Sequence, residues 1–243
     1  MSRSHIVQSL RSALFNAAFY ANLVLFMIVF SPLFLAPRPA AMWALKLWAR
    51  SSIWLLRAIA GTRLEVRGRE HIPRGAALVA AKHQSLFETF AVLPLLDDPA
   101  MVLKRELMLI PLFGWFARKF AMIAVDRGAG ATALKRLIER ARHAADEGRQ
   151  VLIFPEGTRR KPGDPPDYKP GATALYLALA VPCVPLALNS GLFWPRRRFM
   201  RYPGTIVMEF LPAIPAGLTR KTFAQELQHR LETKSRELLQ GSR

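Results

Sequence analysis

Between Arg11 and Arg38 the chain runs for 26 residues without a charged side chain, "SALFNAAFYANLVLFMIVFSPLFLAP". At about 1.5 Å of rise per residue, roughly 20 helical residues cross a hydrocarbon core of ~30 Å, so the run is long enough to insert in a bilayer. A cleaved signal peptide fits less well, because the apolar part is too long and no small-x-small site precedes the prolines. A buried helix of a soluble domain is the other alternative. Pro32, Pro37 and Pro39 offer a place to turn. Beyond them, "AAMWALKLWARSSIWLLRAIAG" puts Lys46, Arg50 and Arg57 within about 40° of one another on a helical wheel. Trp43 and Trp54 flank this stripe, with Leu45, Trp48, Leu55, Leu56 and Ile59 opposite. The pattern predicts a helix lying among lipid headgroups with snorkelling cations, stopped at Gly61. Arg3 and Arg11 precede the apolar run and Arg38 to Arg57 follow it, so cation bias sets no orientation. A hairpin dipping into one leaflet fits as well as a true span. Residues 1–60 are therefore read as a membrane-inserting or interfacial helical hairpin, and 61–243 as a separate catalytic domain.

From residue 62 onward short β-rich runs alternate with helical patterns. "RLEVRG", "AALVAA", "AMIAVD", "QVLIFP", "CVPLAL" and "TIVMEFL" read as strands, with helices near 85–96, 130–147, 171–180 and 221–239. Such alternation predicts an α/β domain with helices packed on a central sheet. The segment "RRKPGDPPDYKPG", 159–171, is too rich in Pro and Gly for regular structure and reads as a functional loop. A formal net charge of +18 sits on a chain that is 51% hydrophobic, which disfavours a disordered basic tail. It suits an anionic membrane surface or an acidic partner at least as well as nucleic acid. The single cysteine, Cys183, excludes an internal disulfide and reads as core. With five scattered histidines it makes no zinc-binding spacing.

Three stretches can carry chemistry. In "KHQSLFE", His83 is the one histidine of five with an acid, Glu88, five residues later. A regular helix would hold the two about 140° apart, so they meet only if His83 ends a strand and Glu88 lies in the first turn of the next helix. The carboxylate then fixes one imidazole nitrogen and leaves the other as a base; otherwise His83 is a half-buried helix cap. In "VLIFPEGTRR" an apolar strand ends at Pro155 and delivers Glu156, Gly157, Thr158 and Arg159 to the mouth of the sheet. Gly157 permits close backbone approach and Arg159 offers a planar fork for phosphate oxygens. Lys104, Arg105 and Asp126-Arg127 also follow strand-like runs, where ligands bind in open α/β sheets, unless they are ordinary surface charges. Nucleophile-elbow, phosphate-loop and dinucleotide signatures are absent from the sequence.

Taken in order, "KHQSLFE", "KRELMLIPLFG…IAVDR", "FPEGTR", "YKPGA" and "VPCVPLAL" resemble the successive blocks of the glycerolipid acyltransferases, over roughly residues 60 to 215. Within that family the nearest likeness is to bacterial enzymes that acylate 1-acyl-glycerol-3-phosphate to phosphatidic acid. The resemblance implies a central mixed sheet flanked by helices, with a membrane-associated N-terminal hairpin. It implies His83 as general base and Glu88 as its orienter. Lys104, Arg127, Glu156, Gly157, Thr158 and Arg159 would bind the phosphate and substrate, and the 181–188 strand would line the acyl site. The donor would be acyl-CoA or acyl carrier protein, with no metal or redox cofactor and no nucleic acid. The enzyme would act on lysophosphatidate at the cytoplasmic face of the membrane. Glu88 stands where the family usually has aspartate, and Lys82 where many members have asparagine. Two other readings stay open: the same chemistry on another lysolipid, such as a lyso-ornithine lipid, and a non-enzymatic, membrane-anchored basic binding module.

Overall fold

The computed structural model describes residues 3–126, 128 and 130–241. Its centre is a seven-stranded sheet of β1 (Thr62–Arg67), β2 (Ala77–Ala81), β3 (Pro99–Lys104), β4 (Ile123–Val125), β5 (Gln150–Ile153), β6 (Cys183–Leu188) and β7 (Gly204–Phe210). The spatial order is β1-β7-β6-β2-β5-β3-β4. Neighbours are parallel except β6 and β7, which pair antiparallel, so the sheet is mixed as expected. Strands β2, β5 and β6 are buried along their whole length, which is why they read as unbroken apolar runs rather than alternating ones. Because β2, β5 and β3 are parallel neighbours, the segments that follow them emerge at one edge of the sheet.

Helices cover both faces. On one lie the N-terminal pair α1 (Arg3–Val29) and α2 (Arg38–Leu55), together with the short α3 (Phe87–Ala91). Their side chains Phe15, Phe19, Ala49 and Phe90 share a core with Val79, Leu152 and Leu186 of the sheet. The short α4 (Phe113–Lys119) buries Phe116 beside Phe120 and, from the hairpin, Ala41 and Met42. On the other face α5 (Gly130–Asp146), α6 (Pro170–Leu179) and α8 (Arg220–Gln240) pack over Leu78, Val151 and Ala187. A single turn, α7 (Ser190–Phe193), follows β6. The helix expected over 85–96 is shorter than its apolar pattern. Residues 82–86 form a turn, and Pro94 ends the helical run as a 3₁₀ turn, Leu93–Leu95.

The hairpin departs from the sequence reading in how it faces. Helix α2 and the π-helical turn Leu56–Ala60 that continues it set their apolar side, Leu45, Trp48, Leu55, Leu56 and Ile59, onto the domain core, not toward lipid. Lys46 does not snorkel: its ammonium donates to the carbonyls of Leu96 and Asp97, each at 2.7 Å. The exposed side carries Trp43, Arg50 and Trp54. The hairpin is fastened to the domain at two places, the first half of α1 and the 34–38 turn that joins the helices. At one, Asn16 donates to the carbonyl of Phe199 at 3.0 Å and the Ser12 hydroxyl accepts from the Arg201 N–H at 2.9 Å. At the other, Lys119 donates to the carbonyls of Phe34 and Ala36, and Arg38 pairs with Asp98 and Glu147. The outer face of α1 leaves Leu10, Leu14, Leu25 and Ile28 exposed. By length and composition His5–Val29 is long and apolar enough to cross a membrane.

The edge of the sheet leans on one glycine. After β1, Gly68 adopts φ +61°, and a Cβ there would lie 2.0 Å from the Phe210 carbonyl oxygen. Gly68→Ala is expected to destabilise the protein by at least about 2 kcal/mol, from left-handed strain plus loss of the β1–β7 edge. A melting temperature equal to wild type would contradict this.

Candidate active site

The parallel edge brings the two strongest motifs together. His83 and Glu88 meet as their spacing requires, with His83 just past the end of β2 and Glu88 in the first turn of α3. Glu88 Oε1 lies 2.9 Å from His83 Nδ1 and also accepts the backbone N–H groups of Gln84 at 2.7 Å and Ser85 at 2.6 Å. Its Oε2 accepts from the Ser190 hydroxyl at 2.7 Å. The carboxylate is wholly buried, and these bonds supply the donors that an ionised carboxylate needs away from water. The longer side chain of glutamate still reaches the same imidazole. Gln84 locks the turn by accepting the Gly191 N–H at 3.0 Å.

With Nδ1 facing the carboxylate, that nitrogen carries the proton and Nε2 is the basic one. Among the described residues Nε2 has no hydrogen-bond partner. The ring stacks on Phe154, 4.3 Å between centroids, and borders a cavity of about 1130 Å³. The cavity lining includes Gly157, Thr158, Arg159 and Lys104 together with Phe19, Trp48 and other apolar residues of α1, α2, α3 and α4. Arg159 is half-buried and its guanidinium makes no ion pair among the described residues, so its fork is free for an anion. Gly157, at φ +63°, lets the 156–159 turn pass beside Lys169, whose Cγ a Cβ would meet at 3.3 Å.

One expectation needs correction, the placing of the 181–188 strand, and the other residues lie as follows. Glu156 borders the cavity, but both of its oxygens are engaged inside the protein: Oε1 accepts from Lys82 Nζ at 2.6 Å and Oε2 from the His83 N–H at 2.8 Å. It thereby ties the turn that carries His83 to Lys82. Burial raises its carboxyl above the ordinary range, and Lys82 opposes that rise. The strand at 181–188 does not line the cavity. As β6 it lies inside the sheet between β7 and β2, and Cys183 is fully buried, its thiol pushed well above the ordinary range. Lys104 reaches the cavity rim but is exposed and 3.8 Å from Glu106; Arg105, which the sequence placed beside it, pairs with Asp126 at 2.8 Å. Arg127 lies outside the described residues.

Ser190 and Phe154 escaped the sequence reading, which marked Lys82 only as a departure from the asparagine that many members carry. Phe154 sits in the quoted motif and its apolar type was its only signal. Ser190 is 102 residues from Glu88, and nothing local marks it.

Comparison with known proteins agrees with this geometry. A family model described as acyltransferase matches residues 63–189. A 1-acyl-sn-glycerol-3-phosphate acyltransferase of Pseudomonas aeruginosa is 37% identical over 93% of this chain and 89% of its own. A mouse 1-acyl-sn-glycerol-3-phosphate acyltransferase alpha is 28% identical over 92% and 81% of the two chains. The crystal structure of a 1-acyl-sn-glycerophosphate acyltransferase from Thermotoga maritima superposes with a TM-score of 0.78, covering 95% of this chain and 97% of that one at 21% identity; it shows a common fold.

Ser190→Ala removes one donor from a buried carboxylate and loosens the ring it orients. Turnover is expected to fall on the order of 10-fold, with substrate affinity little changed. Steady-state kcat and KM on folded protein check this; an unchanged kcat would remove Ser190 from the site.

Proposed function

The chain belongs to the acyltransferase family, and from that premise we propose that it transfers an acyl group from a thioester to the free hydroxyl of 1-acyl-glycerol-3-phosphate, yielding phosphatidic acid. The observation that carries this reading is the held imidazole. His83, fixed through Nδ1 by Glu88, borders a cavity lined both by cations, Arg159 and Lys104, and by the apolar side chains of the hairpin. The acceptor hydroxyl gives its proton to His83 Nε2 as its oxygen attacks the thioester carbonyl carbon. Glu88 stabilises the imidazolium that forms. When the tetrahedral intermediate collapses, the C–S bond breaks and the imidazolium returns the proton to the departing thiolate. Attack is direct and needs no acyl-enzyme, metal or redox cofactor.

Arg159, and Lys104 at the rim, would take the phosphate of the acceptor. The apolar wall built by the hairpin would take acyl chain, which favours a lipid acceptor over a soluble alcohol. Acyl-CoA and acyl carrier protein are both acidic thioester donors, and the positive surface suits either. An N-terminal helix of this length and apolarity, on a fold shared with bacterial lipid acyltransferases, is compatible with membrane association. Since the first half of α1 and the 34–38 turn are fastened to the domain, the reading is a hairpin lying in one leaflet by its outer face, with the domain at the cytoplasmic surface.

The test is thioester consumption by detergent-purified protein, offered lysophosphatidate beside lyso-ornithine lipid and other lysolipids. Lysophosphatidate is expected to be the preferred acceptor, and His83→Ala to lose activity by on the order of 10²–10⁴-fold. Full turnover in His83→Ala would reject the base, and preference for an acceptor without a phosphate monoester would reject the substrate. Arg159→Ala is expected to raise the KM for lysophosphatidate by about 10-fold or more, with a smaller change in kcat. An unaltered KM would remove the phosphate role.

A further inference from the structure

Successive residues at the end of β2 point to opposite faces of the sheet. His83 falls on the hairpin side, following Val79 and Ala81. Lys82 falls on the other, following Leu78 and Ala80, toward α8. An ammonium 5% exposed is costly unless fully paired, and this one is paired twice: with Glu156 Oε1 at 2.6 Å and with Glu232 Oε1 of α8 at 2.7 Å. Glu232 also accepts from the Tyr168 hydroxyl at 2.9 Å, and the Lys82 ammonium lies 5.6 Å from the centre of that ring. Glu156 stands between the two faces, with one oxygen on Lys82 and the other on the backbone N–H of His83 at 2.8 Å.

Resting on the reading of His83 as the base, we propose that Lys82 is a positioning residue for it: its ammonium holds the Glu156 carboxylate on the His83 backbone and anchors that carboxylate to the C-terminal helix through Glu232. The 82–86 turn has Glu88 on one side and Glu156 on the other, so the imidazole is aimed by two carboxylates. Glu88 acts on the ring itself; Glu156 acts on the main chain that carries it.

The balance of charge makes Lys82 the controlling member. The groups facing Glu156 are Lys82 and the His83 N–H from the end of β2, Glu232 from α8 and Tyr168 from the 159–169 loop. Burial drives Glu156 toward its protonated form, and Glu232 adds to that; Lys82 and the His83 N–H oppose it. With Lys82 neutralised, Glu156 takes up a proton at a higher pH than before. Its grip on the His83 backbone then weakens on the acid side of the activity profile.

Lys82→Met, Lys82→Arg, Glu156→Gln and the double variant Lys82→Met/Glu156→Gln test this, with kcat, KM and the pH dependence of kcat/KM measured for lysophosphatidate and an acyl thioester. Lys82→Met is expected to lose about 10- to 100-fold in kcat with little change in either KM, and to move the acid limb to higher pH. Lys82→Arg keeps the charge and is expected to recover part of the loss and the wild-type acid limb. The double variant should be no worse than Glu156→Gln alone, because Lys82 acts through that carboxylate. A Lys82→Met profile that superposes on wild type, or losses in the double variant that simply multiply, would overturn the inference. Should Lys82→Met not fold, Glu232→Gln carries the test: a several-fold lower kcat at unchanged KM supports the link to α8, and wild-type kcat refutes it. In all of these refuting cases His83→Ala stays inactive, whereas failure of the base itself would leave His83→Ala active.

Discussion

A carboxylate with no access to water, Glu88, sets the local structure on which everything at the site depends. It must be met by donors on every side, and it draws them from two segments, the 82–86 turn and α7. Gln84 and Ser85 present main-chain N–H groups, His83 presents its ring, and Ser190 arrives from α7. To gather the two N–H groups the chain must turn sharply after β2, which leaves α3 short and puts Glu88 in its first turn. The same turn brings Gln84 against Gly191 and so fixes where the segment after β6 can lie. An imidazole aimed in this way is ready before substrate arrives, which is where positioning contributes most to rate.

The hairpin is as much a part of the site as the sheet is. Phe19 of α1 packs among Phe90 and Trp194, with ring centroids 5.4 Å from each. Its neighbours on α1 and α2 form one wall of the cavity that His83 borders. The division at residue 60 follows chain composition, whereas the core runs through it, from Phe15 and Ala49 to Val79 and Leu186. On the proposed reading the physical consequence is direct. The surface that meets lipid and the surface that holds an acyl chain are two sides of the same pair of helices, so a substrate drawn from the leaflet need not pass through water to reach the base.

Much of this was legible in the chain because the signals are local. Alternating apolar runs gave the strands, and the H-x-x-x-x-acid spacing beside FPEGTR gave the two motifs that the parallel edge unites. What the residues hid was pairing at long range. Glu232 is 150 positions from Lys82 and Ser190 is 102 from Glu88, and no periodicity marks either. Orientation was hidden too. A wheel with cations on one side and indoles beside them is compatible with lipid or with a protein partner. The carbonyls of Leu96 and Asp97, which accept from Lys46, and the packing of Leu45 and Trp48 on the core show that α2 rests on its own domain. The 181–188 strand misled for a related reason. A run of apolar residues with prolines is equally suited to a cavity wall and a sheet interior, and its neighbours on both sides select the interior.

Net charge is the coarsest of the sequence signals, and the structure divides it into two kinds. Several cations serve the fold. Arg149, 2% exposed, donates to the carbonyls of Pro99, Phe120 and Ala121 and lies 3.2 Å from Asp98. Arg201 caps the carbonyls of Arg198, Phe199 and Met200, sits 4.4 Å over Trp194, and is lowered to about 10 by burial. Lys46, Lys82 and Lys119 are likewise committed to carbonyls or carboxylates. The field felt by an anionic leaflet or an acidic donor comes from the exposed remainder, such as Arg50 and Arg57 on the hairpin and Arg197 and Arg198 on the loop beside α1. Salt screens those exposed groups, whereas the buried cations are largely shielded from it. A charge of +18 therefore overstates the attraction to partners, because the cations committed inside the protein add little to the field outside it.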